Sequence, residues 1–201
     1  MIRLFTPRLV LRTPSPDDLS GYLAYRNERS GLATQMMAAV DADRALAFLD
    51  TQSSLGEDAC GWRMFAVERR EEPGIVGEVG VFSSAERPRE GDLGRWLNPV
   101  HQKRGFAAEA VQALIVWCFS ARDLHRVTAR CLRTNDASRR LMDRVGMRLE
   151  SQSVESRWLG GRWNDELGYA LLQREWAARR PYGCPLRSVA GSSRRSLPGG
   201  R

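Results

Sequence analysis

The sequence contains no apolar run that could cross a membrane. A membrane-spanning helix needs about 18 or more consecutive apolar residues, and the 201 residues contain no such run. The first seven residues are too few and too polar to form the apolar part of a signal peptide. We therefore expect a cytoplasmic protein that does not contact a membrane.

Residues of the types that bind metals or form disulfides are scarce. The two histidines, His101 and His125, are far apart and lack a metal-ligand pattern. The cysteines show no Cys-x-x-Cys spacing, which argues against zinc and against the disulfide framework of a secreted protein; they are Cys60, Cys118, Cys131 and Cys184. The sequence therefore predicts that no metal is required.

Lysine is almost absent, because Lys103 stands alone against thirty arginines. The net charge is +7, and residues 177–201 hold six arginines and no acidic residue. The remaining residues, 1–176, are nearly neutral, and we interpret them as one domain followed by a basic tail at 177–201. The Arg, Ser, Gly and Pro content of this tail predicts disorder, and its charge could contact nucleic acid or the ribosome.

Hydrophobic patterning predicts an α+β domain with a mixed, mostly antiparallel central sheet and helices on both faces. Residues 105–120 are apolar almost all round and predict a buried helix. Other helices are expected after Pro16, after the N-cap Asp41 and from Asn135, ending near Gly146. The predicted strands are 8–12, 62–68, 75–82, 92–97, 125–132, 147–156 and 163–172.

A polar loop precedes the predicted buried helix and can bind phosphate. The first turn of a helix leaves backbone N–H groups unpaired and carries the positive end of the helix dipole, so it binds pyrophosphate readily. The loop has the pattern Gln-x-x-Gly-x-Ala, in which Gly105 and Ala107 allow the backbone close to a ligand. Lys103 and Arg104 add positive charge. The alternative is a polar loop that merely leads into a core helix.

A second polar segment, Asn135-Asp136-Ala137-Ser138, opens the next helix directly after a strand. Taken alone, Asn135 is a helix cap. Together with the Gln-x-x-Gly-x-Ala loop, the segment resembles the acyl-CoA-binding core of GNAT superfamily N-acetyltransferases. The stretches 6–12, 140–147 and 163–172 extend this resemblance to the RimJ/RimL branch, which acetylates protein N-termini and assorted small amines.

The resemblance implies a bacterial enzyme that uses acetyl-CoA as its acyl donor, without a metal, and a primary amine as its acceptor. In the family, the loop holds the CoA pyrophosphate, the preceding strand splays from its neighbour to receive the pantetheine arm, and an Asn contacts the cofactor. The cofactor-binding residues carried onto this sequence are Leu97, Asn98, Gln102, Lys103, Arg104, Gly105, Phe106, Ala107, Ala108, Asn135 and Ser138.

The family mechanism is direct attack of the amine on the thioester, and it needs an oxyanion donor, an acid and a base. A backbone N–H near Trp96–Asn98 would serve the oxyanion. Many relatives use a tyrosine as the acid, but Met142 stands at that place in this sequence. Ser138 is therefore the candidate catalytic acid, with binding of backbone or cofactor as its alternative role.

The base is sought among acidic residues near the expected cleft. Glu78 and Asp92 lie on strands that should border it, although a charged residue on a strand commonly belongs to a solvated face. Glu109, early in the buried helix, is expected to cap or to form an ion pair. Three tryptophans are expected to pack in the core or, alternatively, to line the acceptor pocket: Trp96, Trp158 and Trp163.

The sequence leaves several acceptors and functions open. A protein N-terminal α-amine is favoured, with small-molecule amines, including antibiotics, as alternatives, and succinyl-CoA is an alternative donor. A different class is a non-catalytic acyl-CoA-binding or ribosome-associated module. A homodimer is also possible.

Overall fold

A computed structural model describes residues 1–28, 39–56, 58–72 and 74–179. Within them, a 3-10 turn at Pro16–Asp18 precedes the first helix, and a second at Pro99–His101 precedes the longest one. The helices are α1 (Leu19–Arg26), α2 (Ala42–Ser54), α3 (Phe106–Ser120), α4 (Asp136–Arg144) and α5 (Gln173–Ala178). The strands are β1 (Arg3–Phe5), β2 (Leu9–Arg12), β3 (Gly61–Arg69), β4 (Ile75–Ser84), β5 (Arg87–Leu97), β6 (Arg126–Leu132), β7 (Arg148–Leu159) and β8 (Arg162–Leu172).

The strands of the described residues form one sheet in the order β1-β2-β3-β4-β5-β6-β8-β7. Neighbouring strands are antiparallel except for β5 and β6, which run parallel. The parallel pair requires a crossover connection, and α3 supplies it. The predicted mixed, mostly antiparallel sheet is therefore confirmed.

Helices cover both faces of the sheet, as predicted. Helix α3 packs in the main core, where Leu114 and Cys118 are fully buried and Phe65 of β3 meets Trp117 edge-on with ring centres 5.2 Å apart. Helices α1 and α2 form a smaller core on the opposite face, in which Tyr25 and Leu49 pack with Trp96 of β5.

The sheet opens between its two parallel strands. Strands β5 and β6 pair only over Glu90–Asp92 and Arg126–Thr128. Past this point β5 continues with β4 as far as Leu97, whereas β6 continues with β8 as far as Leu132. Because each strand follows its own antiparallel partner, the pair diverges into a wedge, which we call the splay.

The predicted boundary at residue 176 falls within the last described helix and stays a prediction. Helix α5 runs to Ala178, and its Trp176 ring lies 5.3 Å from that of Phe119 in α3. Arg179 then donates a hydrogen bond to the carbonyl of Gly146. The basic tail is predicted to be disordered, and its residues 180–201 lie outside the described residues.

Candidate active site

A cavity of about 430 Å³ lies in the splay and continues to the face covered by α1 and α2. It is lined by parts of β5 and β6, by the start of α4, and by side chains from α1, α2, β3 and β4. Its lining residues are Tyr22, Arg26, Val40, Phe48, Trp62, Met64, Glu78, Leu93, Gly94, Arg95, Trp96, Arg130, Cys131, Leu132, Asn135 and Ser138. The cavity thus joins the expected cofactor side to a second compartment.

The N-terminus of α3 lies just beyond the end of β5 and has the features expected of an anion site. Gly105 is its N-cap, with φ of 83°, and no side chain caps the helix there. The N–H groups of Phe106, Ala107 and Ala108 precede the first helical bond, which runs from Glu109 N to Gly105 O at 3.1 Å. A glycine suits this left-handed conformation, and its missing side chain leaves the three donors accessible.

The predicted cofactor-binding residues of this loop differ in the exposure of their side chains. Lys103 and Arg104 are exposed, whereas the side chains of Phe106 and Ala108 are buried, 7% and 9% exposed. Phe106 and Ala108 can therefore reach a phosphate only through their backbone N–H groups. Gln102 donates its side-chain amide to the Leu97 carbonyl at 3.0 Å, which ties the loop to the end of β5.

A contact between residues far apart in the sequence anchors the loop, and sequence reasoning missed the partners of Glu109. The carboxylate of Glu109 accepts hydrogen bonds from the Thr6 hydroxyl at 2.6 Å and from Arg8, through N at 2.9 Å and Nε at 2.7 Å. Arg8 also donates to the Arg104 carbonyl at 3.0 Å. Although burial raises the pKa of Glu109, these hydrogen bonds bring it below its usual value. The ion pair expected for Glu109 is present.

The backbone of β5 offers one of its two edges to the splay. The N–H of Asn98 donates to Val76 O of β4 at 2.8 Å. Because N–H groups alternate between the two sides of an antiparallel strand, the N–H groups of Arg95 and Leu97 point away from β4, toward the gap. Within the segment predicted to supply the oxyanion donor, the N–H of Leu97 therefore points into the gap. The N–H of Asn98 cannot serve, because it already donates to Val76 O.

The start of α4 forms the other wall of the cofactor side. Asn135 caps the helix, accepting from Ser138 N at 3.0 Å, and both residues line the cavity. Met142 is 1% exposed and belongs to the main core, so it takes no part in the cavity. Cys131 also lines the cavity, but burial raises the pKa of its thiol. Of the predicted site residues, Ser138 brings a hydroxyl group to the cavity and stays the candidate acid.

Glu78 is the carboxylate that enters the cavity. It is 5% exposed on β4, and Tyr25 of α1 donates its hydroxyl to Glu78 Oε2 at 3.1 Å. Burial raises the pKa of Glu78, and the charge of Arg26 and the bond from Tyr25 offset this only in part. The solvated-face interpretation of Glu78 was wrong, because α1 covers this part of the sheet. Asp92 does not line the cavity and accepts from Thr128 Oγ1 at 3.0 Å.

The three tryptophans singled out in the sequence have different places. Trp96 is 7% exposed, lines the cavity and donates Nε1–H to Tyr25 O at 3.1 Å. Trp158 and Trp163 are 59% and 56% exposed and stack edge-on in the β7–β8 hairpin, so the expectation of core packing was wrong for both. The aromatic lining residues Tyr22, Phe48 and Trp62 were not predicted.

Two features are absent from the part of the chain that the structure describes. No group of three or more His, Cys, Asp or Glu side chains could hold a metal ion. No helix among the described residues is long and apolar enough to span a bilayer.

The described residues thus combine a splayed parallel strand pair with a helix N-terminus at its mouth that no side chain caps. The family described as "Acetyltransferase (GNAT) domain" matches residues 8–148. The chain therefore belongs to the GNAT acetyltransferases, whose fold binds acetyl-CoA as a substrate, and it is an enzyme of that family.

The relatives agree with this assignment. The uncharacterized N-acetyltransferase YnaD of Bacillus subtilis is 29% identical over 175 residues, 87% of this chain and 99% of YnaD. A GNAT acetyltransferase structure from Bacillus anthracis is 25% identical, with a TM-score of 0.75 over 86% of this chain and 99% of that one. RimL, a ribosomal L7/L12 α-N-protein acetyltransferase solved with coenzyme A, shares the fold at 18% identity and a TM-score of 0.75, over 86% and 98% of the chains. The ribosomal-protein-serine acetyltransferase of Escherichia coli is 26% identical over 110 residues, 55% of this chain and 60% of that protein.

Proposed function

We propose that the chain transfers an acetyl group from acetyl-CoA to a primary amine by direct attack, with the α-amine of a peptide N-terminus as the favoured acceptor. The observation that carries the proposal is the single cavity that runs from Asn135 and Ser138 to Glu78 through the splay. Such a cavity lets a thioester and an amine meet at β5 without a covalent enzyme intermediate.

The cofactor side has the groups that acetyl-CoA needs. The N–H groups at the start of α3, with Lys103 and Arg104 beside them, would hold the pyrophosphate. The unpaired β5 edge would accept the pantetheine arm, and the N–H of Leu97 would stabilise the oxyanion that forms when the amine attacks. Ser138 would donate the proton that the departing thiolate takes up.

The acceptor side has one candidate base. An amine attacks only when it is neutral, so a proton must leave the ammonium form. Because burial raises the pKa of Glu78, its carboxylate is a stronger proton acceptor than an exposed one. Glu78 would take the proton, directly or through a water molecule.

Peptide N-termini are favoured over lysine side chains on simple acid–base grounds. At pH 7 an α-amine of pKa about 7.8 is neutral in about one molecule of seven, whereas a lysine amine of pKa about 10.4 is neutral in about one of 2,500. RimL, which shares the fold, is named for α-N-protein acetylation. Small-molecule amines, including antibiotics, and succinyl-CoA remain the alternatives. The cytoplasmic location, the homodimer and the ribosome or nucleic-acid contact of the tail stay predictions.

The test is release of free coenzyme A thiol from acetyl-CoA in the presence of matched peptides, with the acetylated product identified by mass spectrometry. One peptide offers only a free N-terminus and the other only a lysine, across pH 6 to 9. Faster reaction of the N-terminal peptide at pH 7 supports the proposal, and preference for lysine contradicts it. Tight acetyl-CoA binding without thiol release from any amine would favour the non-catalytic module.

A further inference from the structure

The compartment beside Glu78 is enclosed mainly by aromatic side chains. Tyr22 of α1 and Phe48 of α2 stack with ring centres 5.5 Å apart and planes at 27°. Trp96 of β5 and Trp62 of β3 complete the enclosure. We call Tyr22, Phe48, Trp62 and Trp96 the aromatic enclosure. Its members come from four separate elements, and all four line the cavity that holds the candidate base.

Two members of the enclosure are fixed by hydrogen bonds rather than by packing alone. Trp96 donates its Nε1–H to Tyr25 O at 3.1 Å. The buried side chain of Gln52 donates to Trp62 O at 2.9 Å and accepts from Met64 N at 2.7 Å. Gln52 thereby holds this end of β3 against α2, which fixes the backbone from which Trp62 extends.

Two glycines leave room for side chains of β3, Gly94 for the Trp62 ring and Gly80 for Met64. Gly80 and Gly94 are direct partners in β4 and β5. A Cβ on Gly94 would lie 2.8 Å from Cζ3 of the Trp62 ring, and one on Gly80 would lie 2.1 Å from Met64 Sδ. Trp62 nevertheless stays 41% exposed. An indole that is held in place, lines the cavity and remains partly open to solvent can bind an apolar group.

The charges of the cavity oppose acceptors with several ammonium groups. Among the described lining residues, Glu78 is the one carboxylate, and three arginines accompany it: Arg26, Arg95 and Arg130. An amine that approaches Glu78 can form one favourable ion pair. Three arginines against one carboxylate give this lining a net positive charge, which opposes the entry of further ammonium groups.

We infer that the acceptor is a primary monoamine carrying a bulky apolar, preferably aromatic, group, which the aromatic enclosure binds while the amine faces Glu78; polyamines are excluded. The inference rests on the proposed acetyl transfer and specifies its substrate class. The whole cavity, with its cofactor side included, measures about 430 Å³, which is within the range of about 300 to 1,000 Å³ for typical small-molecule sites. The same chemistry is offered by a small aromatic amine and by a peptide whose first residue is aromatic.

The experiment compares acceptors that differ in the apolar group alone. 3-Phenylpropylamine is set against propylamine, because three methylene groups separate the ring from the amine and keep the basicities similar. A peptide beginning with Phe is set against the same peptide beginning with Gly, and spermidine is the polycation. The wild-type kcat/KM should be about tenfold or more higher for each aromatic member. The pair with the larger ratio of kcat/KM values shows whether the acceptor is a small amine or a peptide.

Variants test whether the enclosure is responsible. In Trp62→Ala the KM for the aromatic acceptors should rise about tenfold, with kcat and the KM for acetyl-CoA little changed. Trp62→Phe should recover part of the effect. The matched control is Trp158→Ala, which removes another exposed tryptophan, one that lies outside the cavity, and should change none of these values. If Trp62→Ala fails to fold, Gly94→Ala gives a second test, because its methyl group would displace the indole.

The outcomes separate the inference from the function on which it rests. Equal kcat/KM values for the aromatic and small acceptors, or an equal fall for both in Trp62→Ala, would overturn the inference while leaving acetyl transfer established. Spermidine as the best acceptor would also overturn it. Absence of thiol release with every amine would instead overturn the proposed function.

Discussion

Replacing Glu78 by glutamine removes a charge and changes little else. The glutamine amide oxygen can still accept the bond that Tyr25 donates to Glu78 Oε2 at 3.1 Å, and the two side chains have nearly the same volume. If the carboxylate takes the proton of the attacking amine, kcat/KM should fall by about 10² to 10⁴. This corresponds to about 2.7 to 5.4 kcal/mol of transition-state stabilisation.

The same substitution should leave thermal stability unchanged or raise it. Because burial raises the folded-state pKa of Glu78, the folded protein binds this proton more tightly than the unfolded chain does. The resulting stability is fully present below the unfolded pKa and is lost as pH rises through the folded one. Glu78→Gln cannot ionise and lacks this loss, so at pH 7 it should melt at the same temperature as wild type or higher.

Two assays check these expectations together: thiol release from acetyl-CoA between pH 6 and 9, and thermal unfolding between pH 4 and 8. The control is Asp92→Asn, which changes a strand carboxylate outside the cavity that accepts from Thr128 Oγ1. Wild-type activity should rise with pH as the acceptor amine loses its proton. Full activity in Glu78→Gln would refute the role of Glu78 as base, and a large loss of thermal stability would show that the ionised carboxylate supports the fold.

Three further predictions follow from the loop, the core and the tail. Gly105→Glu puts a carboxylate beside the α3 N–H groups and strains a residue with φ of 83°. Acetyl-CoA affinity measured by calorimetry should therefore fall about tenfold or more. Unchanged binding by a folded variant would contradict the loop assignment. Leu114→Ala empties a fully buried position and should lower the free energy of unfolding by about 2 to 5 kcal/mol in urea titrations. Deleting 180–201 should leave both the melting temperature and CoA affinity nearly unchanged, and a marked loss of either would show that the tail packs on the domain.

Features set by local sequence were predictable. Asp41 caps α2 by accepting from Arg44 N at 2.8 Å, and Gly146 has the left-handed φ of 85° expected after α4. The apolar pattern of 105–120 identified α3, which begins at Phe106 with Gly105 as its N-cap. In each case the residues that decide the structure lie within a few positions of one another, so a single segment carries the signal.

The acceptor side was not predictable because it is assembled from distant segments. Glu78 looked like a residue of a solvated strand face, and its burial depends on Tyr25, which lies 53 residues earlier. The loop before α3 is a second case, because Glu109 contacts Thr6, 103 residues away, and no local pattern predicts that contact. Trp62 has the exposure of a surface residue, and it lines the cavity because its ring lies over Gly94 of β5.

The ladder between β4 and β5 links the two chemical requirements of the proposed reaction. Glu78 pairs with Trp96 and Gly77 pairs with Leu97, so the candidate base and the candidate oxyanion donor occupy adjacent rungs. A Cβ on Gly77 would lie 2.3 Å from Trp96 O and 2.8 Å from Leu97 Cα, and the strands therefore approach closely only because this residue is glycine. In the proposed reaction, this backbone register would fix where the amine loses its proton relative to where the thioester oxygen gains charge, before either substrate binds. Such preorganisation in the central strands, rather than in mobile loops, is what electrostatic catalysis requires.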